Sequence, residues 1–300
     1  MNKKITGFIF LGMALTDVAL MLIMRYVPGI SVSMLGRLFL SESIMLVPCF
    51  VGWLFAHENF CESFGIKKIK LKLIPGCMLL TLLLTPVTAL VNLATLVFTE
   101  NEAGVIFQAL SGLPFFVIAL FITFVGPFVE EWTFRGILFS GIRKNGSALQ
   151  AIVLSALAFG LFHMNLNQAA YAFLLGVFFA VLREISGSIL PSVICHCCIN
   201  GSSTLMMWLA KDEVVTDVGT VMSRDNMLIA AGVLMVMALF TTTLAVALIM
   251  WISEISGKED GVEGIFSEHK KDKSRVLTLP YLIGCGICVF YIVKDLVQQL

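Results

Sequence analysis

The stretch PFFVIALFITFVGPFVEEWTFRGILFSGI, residues 114–142, places two glutamates and an arginine inside a long apolar run. The run is long enough to cross a bilayer, since about 20 helical residues span the hydrocarbon core. A charged side chain near the bilayer centre costs about 2.5–3.5 kcal/mol even on the scales that penalise it least. The interactions that offset this cost are therefore the central question about this sequence.

The composition of the whole chain is that of an integral membrane protein. Of its 300 residues, 58% are hydrophobic and only 13% are charged. Soluble domains are about 45–50% apolar and about 25% charged. The apolar runs lack the two-residue alternation of barrel strands, which favours helices. We therefore predict an all-α fold: a polytopic transmembrane bundle of eight to nine helices, in a single membrane domain over residues 1–300. The formal net charge is zero, so nothing favours nucleic acid as a partner.

Hydropathy predicts nine apolar segments when it is read with a span of about 20 residues. By residue number they are 5–26, 34–56, 73–98, 114–142, 148–164, 168–184, 188–209, 227–252 and 277–297. If successive helices cross in opposite directions, one group of basic residues, next to the ends of the segments, falls on one side of the membrane. These residues are Lys3, Lys4, Lys67, Lys68, Lys70, Lys72, Arg143, Lys144, Arg183, Lys270, Lys271, Lys273 and Arg275. The positive-inside rule then places the N-terminus in the cytoplasm. Few basic loops suit a bacterial plasma membrane, and a eukaryotic internal membrane is the alternative.

Helical spacing separates the two adjacent glutamates of the fourth segment. Glu131 and Arg135 are four residues apart, so they lie on one face and can pair. Glu130 is turned about 100° away, and its own neighbour four residues on is the apolar Phe134. For Glu131 and Arg135, a purely structural ion pair between helices is an equal alternative. Glu130 is without such a partner on its helix and is the stronger candidate for chemistry.

Two later segments carry polar residues on single faces. His163 follows Phe159 by one turn in SALAFGLFHMN, and Asn200 follows His196 by one turn in SVICHCCINGSS. From the basic ends of their helices, Glu130 lies about 20 Å deep, His163 about 24 Å and His196 about 12 Å, at 1.5 Å per residue. These depths place the four polar residues in the middle of the bilayer, and we predict that they form one site.

The residue types in this predicted site suit the hydrolysis of an amide. A carboxylate beside a neutral imidazole can orient and deprotonate a water molecule. A second histidine with a nearby asparagine can donate hydrogen bonds to an oxyanion. Glu130, His163 and His196 could instead hold a zinc ion with one open position. The residues alone leave direct and metal-assisted activation of water both open.

The motifs together resemble a known family. EEWTFR at 130–135 matches the pattern EExxxR, FGLFH at 159–163 matches FxxxH, and HCCIN at 196–200 matches HxxxN, in the same order. The chain is thereby similar to the CPBP family of intramembrane proteases, which includes the CAAX prenyl endopeptidases and bacterial bacteriocin-processing and immunity proteins. The resemblance covers about residues 127–203, which we take as a CPBP-type catalytic core.

The resemblance implies roles for the motif residues. Glu130 and His163 would activate the water, and His196 and Asn200 would stabilise the oxyanion. The supporting residues would be Glu131, Arg135 and Phe159. The family is often described as metallo-endopeptidases, so the resemblance leaves a divalent metal such as zinc open. It also implies a cavity open to the cytoplasm and the membrane, which would take a lipid-anchored or membrane-embedded peptide.

Two other functions compete with proteolysis. A nonproteolytic bacteriocin-immunity or membrane binding protein could share the fold, although the intact motif residues argue against simple loss of activity. A transporter could use intramembrane carboxylates and histidines as a proton relay. Transporters often show internal repeats with paired broken helices, and the sequence shows no such repeat. We rank the protease first and the transporter last.

Overall fold

A computed structural model describes residues 1–57, 65–211, 223–258, 261–267 and 276–299, and these residues contain helices and no strand. The helices are α1 (Lys3–Tyr26), α2 (Met34–Ala56), α3 (Leu73–Thr95), α4 (Glu102–Leu110), α5 (Phe115–Asn145), α6 (Ala148–Phe162), α7 (Leu166–Ser186), α8 (Leu190–Leu209), α9 (Arg224–Ser256), α10 (Glu263–Ser267) and α11 (Leu279–Gln299). Seven of them, α1, α2, α3, α5, α7, α9 and α11, are long and apolar enough to cross a membrane. The predicted polytopic helical bundle is confirmed.

Each of the nine predicted segments corresponds to a helix whose ends differ from the prediction by a few residues. Two of them, α6 and α8, fall outside the group of seven long apolar helices. The first has only 15 residues, and the second carries the polar residues of the predicted site. The short helices α4 and α10 were not predicted. Helix α4 begins after Asn101, whose side chain accepts a hydrogen bond from the backbone N–H of Gly104, between the third and fourth predicted segments.

Side-chain contacts define one end of the bundle, which we call the basic end. There Glu184 on α7 pairs with Arg143 on α5, at 3.1 Å, and with Lys258, which follows α9. The backbone N–H of Lys67 donates to Ser188, just before α8 begins. Arg143 and Lys67 thus lie at the end where the alternating topology predicts them. Four of the predicted basic residues, Lys270, Lys271, Lys273 and Arg275, lie outside the described residues.

The opposite end, which we call the far end, is joined by neutral hydrogen bonds. The backbone N–H of Glu100 donates to Gln299 at the end of α11. The buried Asn167 amide donates to Asn92 and Thr95 at the end of α3. The end of α3, the start of α7 and the end of α11 therefore lie at this far end.

Small residues let α6 and α7 approach closely, behind the predicted site. A Cβ at Gly176 would lie 3.1 Å from Ala156 and also 3.1 Å from the guanidinium of Arg135. A Cβ at Gly160 would lie 2.7 Å from the backbone oxygen of Ala169. The guanidinium of Arg135, from α5, consequently lies against this close contact, where a larger residue than Gly176 would meet it.

Candidate active site

The helix that carries both glutamates is irregular, and a proline accounts for one irregularity. Residues Leu120–Val125 form a π-helical turn, in which the N–H of Gly126 bonds to Phe121 and so bypasses the carbonyl of Ile122. Pro127, the next residue, has no N–H to offer that carbonyl. The side-chain amide of Asn200 donates to it instead, at 3.1 Å. The π turn therefore gives α8 a fixed attachment point on α5, as such turns often do at functional sites.

Glu131 and Arg135 form the ion pair that their spacing predicts. Nη1 of Arg135 lies 2.9 Å from Oε1 of Glu131, and both side chains are 0% exposed. Losing one partner of such a buried pair typically costs about 3–5 kcal/mol, because the other charge remains buried and unpaired. The pair therefore fixes this part of α5, which is itself a second π turn at Trp132–Leu138.

Two aromatic rings surround the guanidinium of Arg135. Its Cζ atom lies 4.2 Å from the ring centroid of Phe159 and 5.2 Å from that of Phe179. Two of its nitrogens, Nε and Nη2, have no hydrogen-bond partner among the residues that the structure describes. A cation over the face of a desolvated ring is stabilised by about 2 kcal/mol. Phe159, predicted as a supporting residue, thus compensates for part of the burial of Arg135.

His196 contacts both glutamates. Its Nδ1 lies 3.1 Å from Oε1 of Glu131, and its Nε2 lies 3.5 Å from Oε2 of Glu130. The side chain of Glu130 is 20% exposed, whereas that of His196 is 7% exposed. The ring packs against Phe179 at 5.0 Å between centroids. A residue of α8 therefore supplies Glu130 with the partner that its own helix lacks.

The other histidine is positioned by the turn between α6 and α7. Nδ1 of His163 lies 2.9 Å from the carbonyl oxygen of Phe159. Because a carbonyl only accepts hydrogen bonds, Nδ1 carries the proton, and a neutral ring then keeps its lone pair on Nε2. Met164, with φ of 53°, reverses the chain, and Asn165 caps α7 by accepting from the N–H of Gln168. His163 is thus held with a basic nitrogen on the wall of the cavity described next.

A cavity of about 540 Å³ brings the site residues together. Four predicted catalytic residues line it: Glu130, His163, His196 and Asn200. Phe159 also lines it, whereas Glu131 and Arg135 lie behind the wall. His163 and Asn200 are each held by a backbone carbonyl rather than by Glu130. The arrangement therefore places one carboxylate, one imidazole that can accept a proton and two nitrogen donors around one chamber.

Two further carboxylates in the cavity wall were missed by the sequence analysis. Asp17 on α1 accepts a hydrogen bond from Ser41, at 3.0 Å, and Glu42 on α2 lies beside it in the wall. Oε2 of Glu42 is buried and has no hydrogen-bond partner within the described part of the chain. The signal was present, because each is a lone carboxylate within a predicted apolar segment, 5–26 or 34–56. Intramembrane carboxylates of this kind usually mark a functional interior.

The proposed metal ligands can be compared with the geometry that zinc requires. Among the residues that the structure describes, no three His, Cys, Asp or Glu side chains are grouped closely enough to hold a metal ion. Nε2 of His196 lies 3.5 Å from Oε2 of Glu130, and its Nδ1 bonds to Glu131, as the second nitrogen of a metal-ligating histidine often does. His163 does not complete a group of three ligands with these two residues in this arrangement, so no catalytic step is assigned to a metal. A divalent metal stays an untested prediction.

Fold and site together define a multi-pass helical membrane protein with a buried glutamate–histidine centre. Residues 112–202 match the family model described as type II CAAX prenyl endopeptidase Rce1-like. The matched segment contains all three motifs and confirms the resemblance to the CPBP family of intramembrane proteases. Neither a curated protein nor a solved structure matches the chain.

Proposed function

We propose that this chain is an intramembrane endopeptidase that hydrolyses a peptide bond of a membrane-associated or lipid-anchored substrate with an activated water molecule. The observation that carries the proposal is the contact of His196 with Glu131 on one side and Glu130 on the other, at the wall of a cavity large enough for a peptide segment. The proposed setting is a plasma membrane, with the N-terminus in the cytoplasm. The lipid bilayer and the peptide are its proposed partners.

Glu130 and His163 supply the proton acceptors in this proposal. Both line the cavity, and the bond from Nδ1 of His163 to Phe159 leaves Nε2 as an acceptor. A water held between a carboxylate and a neutral imidazole loses its proton as it attacks the carbonyl carbon. The acquired proton is then available for the leaving amine, so the same groups act first as base and later as acid.

His196 and Asn200 supply the donors for the oxyanion. Nδ1 of His196 bonds to Glu131, which holds the ring with Nε2 facing Glu130 at the cavity wall. An N–H on Nε2 would donate to a developing oxyanion in place of its long contact with Glu130. The Asn200 amide uses one N–H on Ile122 and has a second N–H for the same purpose.

The test compares the termini of membrane proteins in cells that make the wild-type chain and cells that make Glu130→Gln at equal levels. Glu254→Gln, on an exposed position of α9, is the matched control. New termini that appear with the wild type and the control, and disappear with Glu130→Gln, identify both the substrate and the cleaved bond. Identical termini in all three strains, with equal rescue of a deletion phenotype, would establish a nonproteolytic immunity or binding role.

A chelator experiment separates direct from metal-assisted activation of water. Cleavage by the purified chain is measured before and after dialysis against 1,10-phenanthroline, with the free chelator removed before the assay. Unchanged cleavage agrees with water activated by Glu130 and His163 alone. Loss of cleavage that zinc restores would show that the site rearranges to bind a metal.

A further inference from the structure

The cavity extends toward only one of the two ends of the bundle. On α3, which starts at the basic end, its lining residues begin only at Thr85 and continue to Asn92. At 1.5 Å per residue, Thr85 lies about 18 Å from the start of α3 and Asn92 about 28 Å. On α8, which also starts at the basic end, the lining runs from His196 to Met207. The cavity therefore begins at the catalytic level and extends toward the far end.

The rim of the cavity is formed by residues of the far end. Asn101 and Ala103, at the start of α4, line it, and so does Gln168 in the first turn of α7. All three are partly exposed. We call these three residues the rim. The rim belongs to the end of the bundle where the start of α4 meets the end of α11.

The other side of the catalytic level is closed. Toward the basic end, Phe134 and Leu138 on α5 are 0% exposed, and the paired Glu131 and Arg135 are buried beside them. Phe179 closes the same layer from α7 and packs on His196. Among the described residues, no basic-end side chain lines the cavity. A substrate consequently has no opening through this layer.

The charges on the cavity wall restrict what can enter. Three carboxylic acids line it, Asp17, Glu42 and Glu130, and no Lys or Arg among the described residues does so. A peptide that ends in the cavity with a free carboxylate meets like charges and no cation in a medium of low dielectric. A segment with a lysine, an arginine or an amino terminus meets three groups that can pair with it. The wall thus favours a neutral or basic segment over an acidic one.

From these observations we propose that the substrate enters through the rim from the extracytoplasmic side, as a neutral or basic peptide segment. The basic end faces the cytoplasm by the positive-inside rule, so the rim faces away from it. This inference deepens the proposed function and rests on it, because the peptide is a substrate only if the chain cleaves it. It differs from the cytoplasmic opening that the family resemblance implies. The substrate class then consists of exported or outward-facing membrane peptides rather than cytoplasmic lipid-anchored chains.

Thiol labelling tests the direction of the rim without any assay of cleavage. Ala103→Cys places a thiol on the rim, and Lys68→Cys places one at an exposed position of the basic end. Each variant is treated with a membrane-impermeant maleimide in intact cells and in inverted membrane vesicles, and the labelling of the native cysteines in the wild type is subtracted. We expect Ala103→Cys to label only in cells and Lys68→Cys only in vesicles.

The other outcomes overturn the proposal. Labelling of both thiols in the same preparation places the rim and the basic end on one side. Labelling of Ala103→Cys only in vesicles reverses the direction. A thiol that reacts in detergent but in neither membrane preparation shows that the rim is not open to water. Gln168→Cys, on a different helix, repeats the test if Ala103→Cys fails to accumulate.

The charge preference is tested separately, on the substrate found by the comparison of termini. Replacing its lysine or arginine nearest the cleaved bond by glutamate should abolish cleavage, whereas the glutamine version should be cleaved. Equal cleavage of the glutamate and glutamine versions would refute the preference. If the thiols label as expected but no new protein terminus depends on Glu130, the extracytoplasmic direction of the rim is established and the proposed proteolytic function is refuted.

Discussion

The imidazole of His196 is held by Glu131, with Nδ1 3.1 Å from Oε1. The same oxygen accepts the hydrogen bond of Arg135, at 2.9 Å, so one buried atom joins side chains of α5 and α8. Glu130, the next residue along the chain, faces the other nitrogen of the same ring from the cavity. The two adjacent glutamates therefore have different roles: Glu131 fixes the orientation of the ring, and Glu130 lines the cavity beside it.

Glu130→Gln should abolish cleavage and leave stability unchanged. The change removes the proton acceptor, and a general base typically contributes about 10²–10⁴-fold to the rate. It does not disturb the buried ion pair, and the 3.5 Å contact to His196 is too long to be a strong hydrogen bond. Cleavage rate and thermal midpoint in detergent are measured together, with Glu254→Gln as the control. Full activity of Glu130→Gln would remove Glu130 from the mechanism.

The two histidines should differ in their effect on stability. His163→Ala removes a ring that is bonded only to a backbone carbonyl of its own helix, so it should lose activity and keep its thermal midpoint. His196→Ala removes a partner of the buried Glu131. It should lose activity and also lower the free energy of unfolding by about 1–3 kcal/mol. The comparison uses cleavage rates and thermal unfolding of the two purified variants. A stable His196→Ala beside an unstable His163→Ala would contradict the roles given to the rings.

Arg135→Ala should sharply reduce the amount of folded protein. It leaves Glu131 charged and unpaired at a position with no exposure, which typically costs about 3–5 kcal/mol. The yield of monodisperse protein in detergent measures the effect, and Arg25→Ala, at an exposed position, is the control. The double variant Glu131→Gln, Arg135→Met should recover part of the yield because no buried charge remains. Normal accumulation of Arg135→Ala would show that the pair is dispensable.

Pro127→Ala should lower activity without lowering stability. Alanine supplies the N–H that proline lacks, so the carbonyl of Ile122 gains a partner in its own helix and releases Asn200. The control is Pro48→Ala, which adds an N–H inside α2, away from the cavity. Cleavage rate and thermal midpoint are compared for both variants. A fully active Pro127→Ala enzyme would separate the π turn from the positioning of Asn200.

The sequence predicts the helices and the composition of the site well, because both depend on local patterns. Nine apolar segments, the i, i+4 pair of Glu131 and Arg135, and the gathering of basic residues follow from hydropathy and helical periodicity. The contact of Glu130 with His196 could not be predicted, because it depends on how α8 is rotated and tilted against α5. Regular helical rise placed these two residues about 8 Å apart in depth, since the estimate allowed neither for the π turns nor for tilt.

The missed features have physical reasons of their own. Helix α4 has only nine residues, too few to stand out when hydropathy is read with a span of about 20 residues, and it directly follows the polar stretch at 99–102. Asp17 and Glu42 lack the motif spacing that drew attention to Glu130, and only the packing of α1 and α2 against α5 brings them to the same cavity. Distances between helices are properties of tertiary packing, which periodicity within one helix does not encode.

The ion pairs of Glu184 also determine how the bundle can move. Arg143 and Lys258 tie α5, α7 and the end of α9 together at the basic end, whereas the contacts described at the far end are neutral hydrogen bonds. When helices separate to admit a peptide, we expect the tied end to act as a pivot and the other end to widen. Glu184→Gln should loosen that pivot, and the distance between spin labels on α5 and α9 would then change at both ends rather than at one.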